Sequence, residues 1–470
     1  MSHEHKLDKD GIRNDGVPHY EADASRLKSH IEASETLSRF SAPLLVHSDN
    51  PHQHLYLAAL DGTGNDLYKD PRHATNIAKI YEQIGEVGNH RIAAGYVPGP
   101  GTQDQFLTRT IDGINGNTYD ERVEQMYEKF IDHAWAWKKD DPQAEISLVA
   151  VGFSRGSEQA AGLARLVHDR GIQDPAGAVY TRDQHDQIMH VEYTRPPLVE
   201  PGQVVQAVAL LDPVGTGEAV RAHDRRLPPS VISGFEIIAA DERRALFKSD
   251  HIIDPGMTPD GRFLGVAVAG THSDIGGSYH RDGLAIRSGN LLITYLNTLS
   301  DRPFLKLQAV PGDPRLNVVH GSEDGKLIYR LGRKVNRFDA GGYNELLVPK
   351  RMAGQVSDPY NAEPRDEVLN GRFERQAVKS SAQTVTPDAA RDERSGDLSM
   401  RLDRMLAAGQ ANDWAKFSRE NLALAHGDAG RNMLERASLQ AGWLEQQAAQ
   451  QQAMPAHFMP QPATEPVTQH

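Results

Sequence analysis

The sequence predicts an α/β protein: a mostly parallel sheet covered by helices, followed by a C-terminal helical appendage. Three observations predict it. Six short apolar runs recur between residues 54 and 271, "HLYLAAL", "HRIAAGYV", "EISLVAVG", "QVVQAVALL", "SGFEIIAA" and "FLGVAVAGT". Their hydrophobicity is nearly continuous, as in strands buried on both faces of a sheet. Helical periodicities separate several of them, at residues 74–84, 119–137 and 157–169, and strands alternating with helices imply parallel pairing. Ligands of such sheets bind beyond the carboxyl ends of the strands.

The remaining segments follow in order. At 470 residues the chain exceeds one ordinary core and predicts a large domain with appendages. Residues 1–50 are polar, with one helical pattern over Ala24–Leu37, and read as a poorly ordered arm or peripheral helix. Residues 51–350 read as the catalytic domain. Within it, residues 98–118 are dense in Gly, Pro and Asn, and residues 171–202 are mostly polar. Long connections inside a compact domain tend to carry function, so the substrate entrance is expected near the first. Residues 351–396 read as a flexible linker, 397–452 as a helical segment, and 453–470 as a disordered Gln- and Pro-rich tail.

A net charge of −13 argues against a nucleic-acid partner, because phosphate binding needs a basic face. With no cysteine, disulfides, thiolate metal sites and cysteine nucleophiles are excluded. The start, "MSHEHKLDKDGIRND", lacks the apolar core of a signal peptide, so the chain is expected to be made in the cytoplasm and exported, if at all, by another machine. No run of about 18 apolar residues suits a bilayer-spanning helix.

The stretch "EISLVAVGFSRGSEQAA" places Ser154 between an apolar strand and an Ala-rich helix, inside Gly-x-Ser-x-Gly. A sharp strand-to-helix turn with small neighbours holds a serine hydroxyl clear of the sheet, and the helix N-terminus faces developing negative charge. An ordinary turn is the bland reading, and the strand and helix around it favour the nucleophile. A serine nucleophile needs a base, and the base an orienting acid. Downstream, "QAVALLDPVGTG" ends its strand in Asp212 and "LGVAVAGTHSDIGGSY" ends its strand in His272, the required order. Asp274 is the alternative acid, but it would have to fold back over two positions to reach His272, so Asp212 is preferred. The Gly-rich turn "LDGTGND" after the first strand supplies a second oxyanion donor. Together with the Arg155 N–H this nominates an N–H of Gly62 or Thr63, with Asp61 and Asn65 pinning the loop.

With "LDGTGND", "ATNIAKIY", "GYVPGPGT", "GFSRGS", "LLDPVGTG", "AADERRALF" and "GTHSDIGGSY" in that order, the chain resembles a bacterial α/β-hydrolase family that includes the first class of type VI secretion lipase effectors. The match runs over about residues 54–300. The resemblance implies hydrolysis of membrane phospholipid acyl esters, of phospholipase A type, by a triad falling on Ser154, Asp212 and His272. It needs no metal and no cofactor. It also implies an antibacterial effector delivered to the periplasm or membrane surface of target cells, with a secretion-system component and a cognate immunity protein as partners. Three positions depart from the family: Pro213 replaces a threonine, Ser278 a glycine, and Leu60 an aromatic residue or cysteine.

Two other function classes compete. "LDGT" echoes the Asp-x-Asp-Gly-Thr of a phosphatase class, and His272 with Asp274 could hold a cation, yet the nucleophilic aspartate of that motif would fall on Ala59. A degenerate hydrolase acting as an adaptor is the other, and intact candidates at every triad position argue against it.

Overall fold

The structure, a computed structural model, describes residues 7–101, 119–182, 188–215, 221–324, 327–330, 332–379 and 385–386. The chain opens with β1 (His19–Glu21), α1 (Ala24–Leu37) and β2 (Ser41–Pro43). The α/β alternation then begins with β3 (Gln53–Leu60), α2 (Asn76–Val87), β4 (Ile92–Val97), α3 (Tyr119–Asp140), β5 (Glu145–Phe153) and α4 (Arg155–Arg170). A hairpin of β6 (Ala178–Arg182) and β7 (Ile188–Tyr193) occupies the second long connection. There follow β8 (Val205–Leu211), β9 (Val231–Ala239), β10 (Ser249–Asp250), β11 (Gly256–Met257), β12 (Phe263–Val268), α5 (His272–Gly276) and α6 (Gly283–Thr298). Short strands complete the fold: β13 (Val310–Pro311), β14 (Val318–His320), β15 (Tyr343–Asn344), β16 (Arg375–Ala377) and β17 (Val385–Thr386).

All six apolar runs enter one seven-stranded sheet of order β11-β12-β9-β8-β5-β3-β4, parallel except for edge strand β11. Register follows side-chain alternation. Leu55, Leu57 and Ala59 of β3 join a core with Ile77 and Ile80 of α2 and Leu292 and Tyr295 of α6. Tyr56, Ala58 and Leu60 face the opposite core, with Tyr127 and Phe130 of α3 and Leu163 of α4. A sheet buried on both faces has no polar stripe, which is why its strands read as unbroken apolar runs. The order, with β5 between β3 and β8 and the strand-to-helix corner after β5, is that of an α/β-hydrolase. Helix ends follow local chemistry: the Asp23 carboxylate accepts from the Arg26 N–H at 2.8 Å, Thr75 Oγ1 accepts from the Ala78 N–H, and α2 stops at Gly88 in the left-handed region.

Two boundaries differ from expectation. Residues 19–50 are not a loose arm: Leu37, Phe40, Ala42 and Leu45 are fully buried in the first core, β1 pairs with β14, and β2 pairs with β16. Truncating a buried phenylalanine such as Phe40 to alanine costs about 3–5 kcal/mol, a contribution no flexible arm makes. Residues 351–379 likewise belong to the fold rather than to a linker, because Leu369 and Val378 are buried and Arg375–Ala377 pairs with Ser41–Pro43. The helical segment expected at 397–452, the tail at 453–470 and residues 102–118 of the entrance loop lie outside the described residues.

Candidate active site

The corner at Ser154 is built by backbone constraint. β5 ends at Phe153, α4 begins at Arg155, and Ser154 between them sits at φ 59°, ψ −126°, a conformation that L-residues rarely adopt. The flanking glycines are steric requirements. A Cβ on Gly152 would overlap the Gly156 carbonyl, and one on Gly156 would overlap the Leu60 and Asp61 carbonyls of β3 and its turn. Ser154 N–H donates to Leu211 O at 2.9 Å, which ties the corner to the end of β8, where Asp212 follows. Phe153 points into the same region: its ring lies 4.6 Å from the His272 ring, against Gly62 and Gly276.

Asp212 and His272 meet. His272 Nδ1 lies 2.5 Å from Asp212 Oδ2, and both side chains are buried. The carboxylate fixes the tautomer with hydrogen on Nδ1 and leaves Nε2 with its lone pair. His272 is the first residue of α5, and its N–H donates to Glu242 Oε2 at 3.3 Å. Phe247 packs edge-on to the imidazole at 5.0 Å between ring centres. Burial pushes the His272 pKa down, and the hydrogen bond and charge of Asp212 offset this in part, so the ring is neutral and basic at neutral pH. Among the described residues Ser154 Oγ is hydrogen-bonded to none.

The alternative acid takes other partners. Asp274 Oδ1 meets His320 Nδ1 at 2.5 Å, while its Oδ2 accepts the N–H and hydroxyl of Thr271, both at 2.9 Å, in a capping box on its own helix. His272 and Asp274 therefore do not converge on a common point where a cation would bind.

Of the oxyanion candidates, Gly62 N–H donates to Asp61 Oδ1 at 2.7 Å and is occupied. Thr63 remains on the turn, and its hydroxyl accepts from Arg155 Nε at 2.6 Å, joining this turn to the start of α4. Asp61 pins this turn as expected: its carboxylate accepts from Thr75 Oγ1 at 2.9 Å and Tyr96 OH at 2.6 Å. Burial raises its pKa to about 6, against those hydrogen bonds.

Arg337 was not foreseen. Fully buried, it grips Asp212 with both arms of its guanidinium, Nη1 to Oδ1 at 2.6 Å and Nη2 to Oδ2 at 2.9 Å, while the Ala239 N–H adds a bond to Oδ1 at 2.9 Å. Burial alone would raise the Asp212 pKa, but the Arg337 charge and the His272 hydrogen bond hold it well below the usual carboxylate range. Glu242, which accepts from the His272 N–H and pairs with Arg244 at 2.7 Å, was also missed. Neither lies in a motif. The one available hint was a local concentration of basic residues, "GRKVNR", in an acidic chain.

Comparison with known proteins comes from two directions. Residues 56–197 match the family model described as T6SS, phospholipase effector Tle1-like, catalytic domain. Among solved structures, an uncharacterized protein from Pseudomonas aeruginosa is 16% identical with a TM-score of 0.33, covering 87% of this chain and 66% of its own. The Tle1 effector bound to the VgrG spike of the type 6 secretion system is 21% identical with a TM-score of 0.27, covering 48% of this chain and 51% of its own. An acetyl xylan esterase is 13% identical with a TM-score of 0.22, and 97% of its length is covered. The chain thus spans about two thirds and one half of the first two. No curated protein matches. Over residues 56–197 the chain is therefore similar to the catalytic domain of Tle1-like type VI secretion phospholipase effectors.

Proposed function

We propose that this domain hydrolyses acyl ester bonds of membrane phospholipids, in the manner of a phospholipase A, as an antibacterial effector carried into target cells by a specialised secretion system. The observation that carries the reading is a strained serine on a strand-to-helix corner beside a buried, hydrogen-bonded histidine–aspartate pair. Ser154, Asp212 and His272 act as the triad. His272 Nε2 takes the Ser154 proton as Oγ attacks the ester carbonyl, and the imidazolium is held by Asp212. The Arg155 and Thr63 N–H groups stabilise the oxyanion. The imidazolium then protonates the departing lysolipid oxygen, and water, deprotonated by the same histidine, releases the fatty acid. The match to a phospholipase effector domain supports the substrate class; a secretion-system component and an immunity protein are the partners this role requires.

Lipid-product mass spectrometry on mixed bacterial phospholipids tests the proposal. The parent should release free fatty acid and lysolipid, and Ser154→Ala should lose on the order of 10³-fold or more in rate. Equal product from both proteins removes Ser154 from the mechanism.

A further inference from the structure

The chain is acidic, with a net charge of −13, yet two segments beside the triad are purely basic. Residues 243–248, "RRALFK", carry three cations and no acid, and residues 330–338, "RLGRKVNRF", carry four cations and no acid. The fold lays them together. Arg244 and Lys334 form an antiparallel bridge, with Val335 N–H donating to Arg243 O at 2.8 Å and Ala245 N–H to Arg333 O at 3.1 Å. Two of the seven cations are engaged internally, Arg244 with Glu242 and Arg337 with Asp212. Lys334 reaches Asp324 at 3.5 Å between exposed side chains, a weak and screened pair. Among the described residues, Arg243, Lys248, Arg330 and Arg333 form no ion pair. Asp324 and Asp339 are exposed carboxylates beside this stretch.

The ledge also presents apolar groups. Leu246 is 54% exposed and Phe338 52% exposed. Each is the chain neighbour of a residue that touches the site: Phe247 packs on His272, and Arg337 holds Asp212. Exposed cations with interspersed large apolar side chains match the two layers of an anionic bilayer surface, phosphate above and acyl chain below. A nucleic-acid groove would offer no use for the aliphatic Leu246.

We infer that the ledge of residues 243–248, Arg330 and residues 332–338 docks the protein onto an anionic phospholipid surface, with Leu246 and Phe338 inserting beside the mouth of the active site. The inference deepens the proposed lipase reading and rests on it. Docking here would present an acyl ester to Ser154 without the lipid leaving the membrane over a long path.

The test uses full-length protein carrying Ser154→Ala, so that binding is read without hydrolysis. Sedimentation with phosphatidylglycerol/phosphatidylethanolamine vesicles should exceed that with phosphatidylcholine vesicles, and the excess should shrink at high salt. Each cation near an anionic surface is worth roughly fivefold in partitioning, so Arg330→Gln with Arg333→Gln should weaken binding to the anionic vesicles by at least about tenfold. Leu246→Ser with Phe338→Ser should weaken it at every salt concentration. The same pairs in the Ser154-intact protein should turn over a short soluble ester within about twofold of the parent, which also reports an intact fold. Binding that ignores vesicle charge, or that survives both pairs of changes, overturns the docking surface. A parent that binds vesicles as described but hydrolyses no ester overturns the hydrolase reading instead, so the two failures are told apart.

Discussion

Replacing Arg337 by methionine probes the site where it is most unusual. The change keeps the volume and removes the charge and both hydrogen bonds to Asp212. Two bonds to a charged group are worth about 1.5–3 kcal/mol each, and breaking a fully buried ion pair from one side costs about 3–5 kcal/mol. The two figures agree on a loss near 3–5 kcal/mol, shared between stability and ionisation. One pKa unit is about 1.4 kcal/mol, so even a third of that loss moves the Asp212 pKa up by about one unit. The sign is fixed by the depressed pKa of Asp212. Its stabilising contribution is present above the unfolded carboxylate value near 3.9 and is lost as pH falls through the lower folded value. Without Arg337 that loss begins at higher pH. The uncompensated carboxylate also stabilises the His272 imidazolium, which protonates the base at higher pH. Both effects move the acid limb of kcat/KM in the same direction. The assay is kcat/KM against pH on a short soluble ester for the parent, Arg337→Met and Arg337→Lys, with urea unfolding in parallel. The limb should move alkaline by about one unit in Arg337→Met, and lysine, with charge but no fork, should restore part of it. A limb that stays in place while stability falls would falsify the electrostatic role and leave Arg337 as packing.

The two carboxylates near the histidine should separate cleanly in kcat: Asp212→Asn is expected to lose about 10⁴-fold, whereas Asp274→Asn, which loosens His320, should lower urea stability and keep kcat within a few-fold. Equal kcat losses would contradict the assignment. Gly156→Ala drives a methyl into the Leu60 and Asp61 carbonyls and should cost about 1–3 kcal/mol of stability together with turnover; a fully active, equally stable variant would show that the corner has room. Ser154→Gly relieves a positive φ and should be more stable than Ser154→Ala by about 1 kcal/mol, measured by urea unfolding, and the reverse order would mean the corner is unstrained. His320 is buried between Asp274 and Asp15; burial opposes its charge, but the two carboxylates raise its pKa to about 9. Its contribution is therefore complete below the unfolded value near 6.5 and lost as pH rises through about 9. The stability gap between the parent and His320→Gln should narrow from pH 6 to 9.5, and a constant gap would rule this out.

Much of the architecture was legible because its determinants are local. A strand buried on both faces must be apolar at successive positions, so the six runs of the sheet stand out in the sequence. The corner at Ser154 carries its steric demands within five residues, so Gly152 and Gly156 announce it. What stayed hidden depends on groups distant in sequence. Residues 1–50 look polar on average, and only the packing of Leu37 and Phe40 into the core with α6 shows that residues 19–50 are structural. Sequence order allowed either Asp212 or Asp274 as the acid. The sheet decided between them, because β8 lies next to β5 and delivers Asp212 beside the corner, while Asp274 is held by its own helix cap and by His320. Arg337 reaches Asp212 from 125 residues away along irregular chain, where neither periodicity nor spacing constrains a side chain. Sequence by itself determined the strands and the corner and nominated Ser154 and His272 as candidates, since local sterics and burial specify them. Tertiary structure alone decided which carboxylate meets His272, which cation holds that carboxylate and which loop amide is tied to Asp61, because each is a meeting of separate segments.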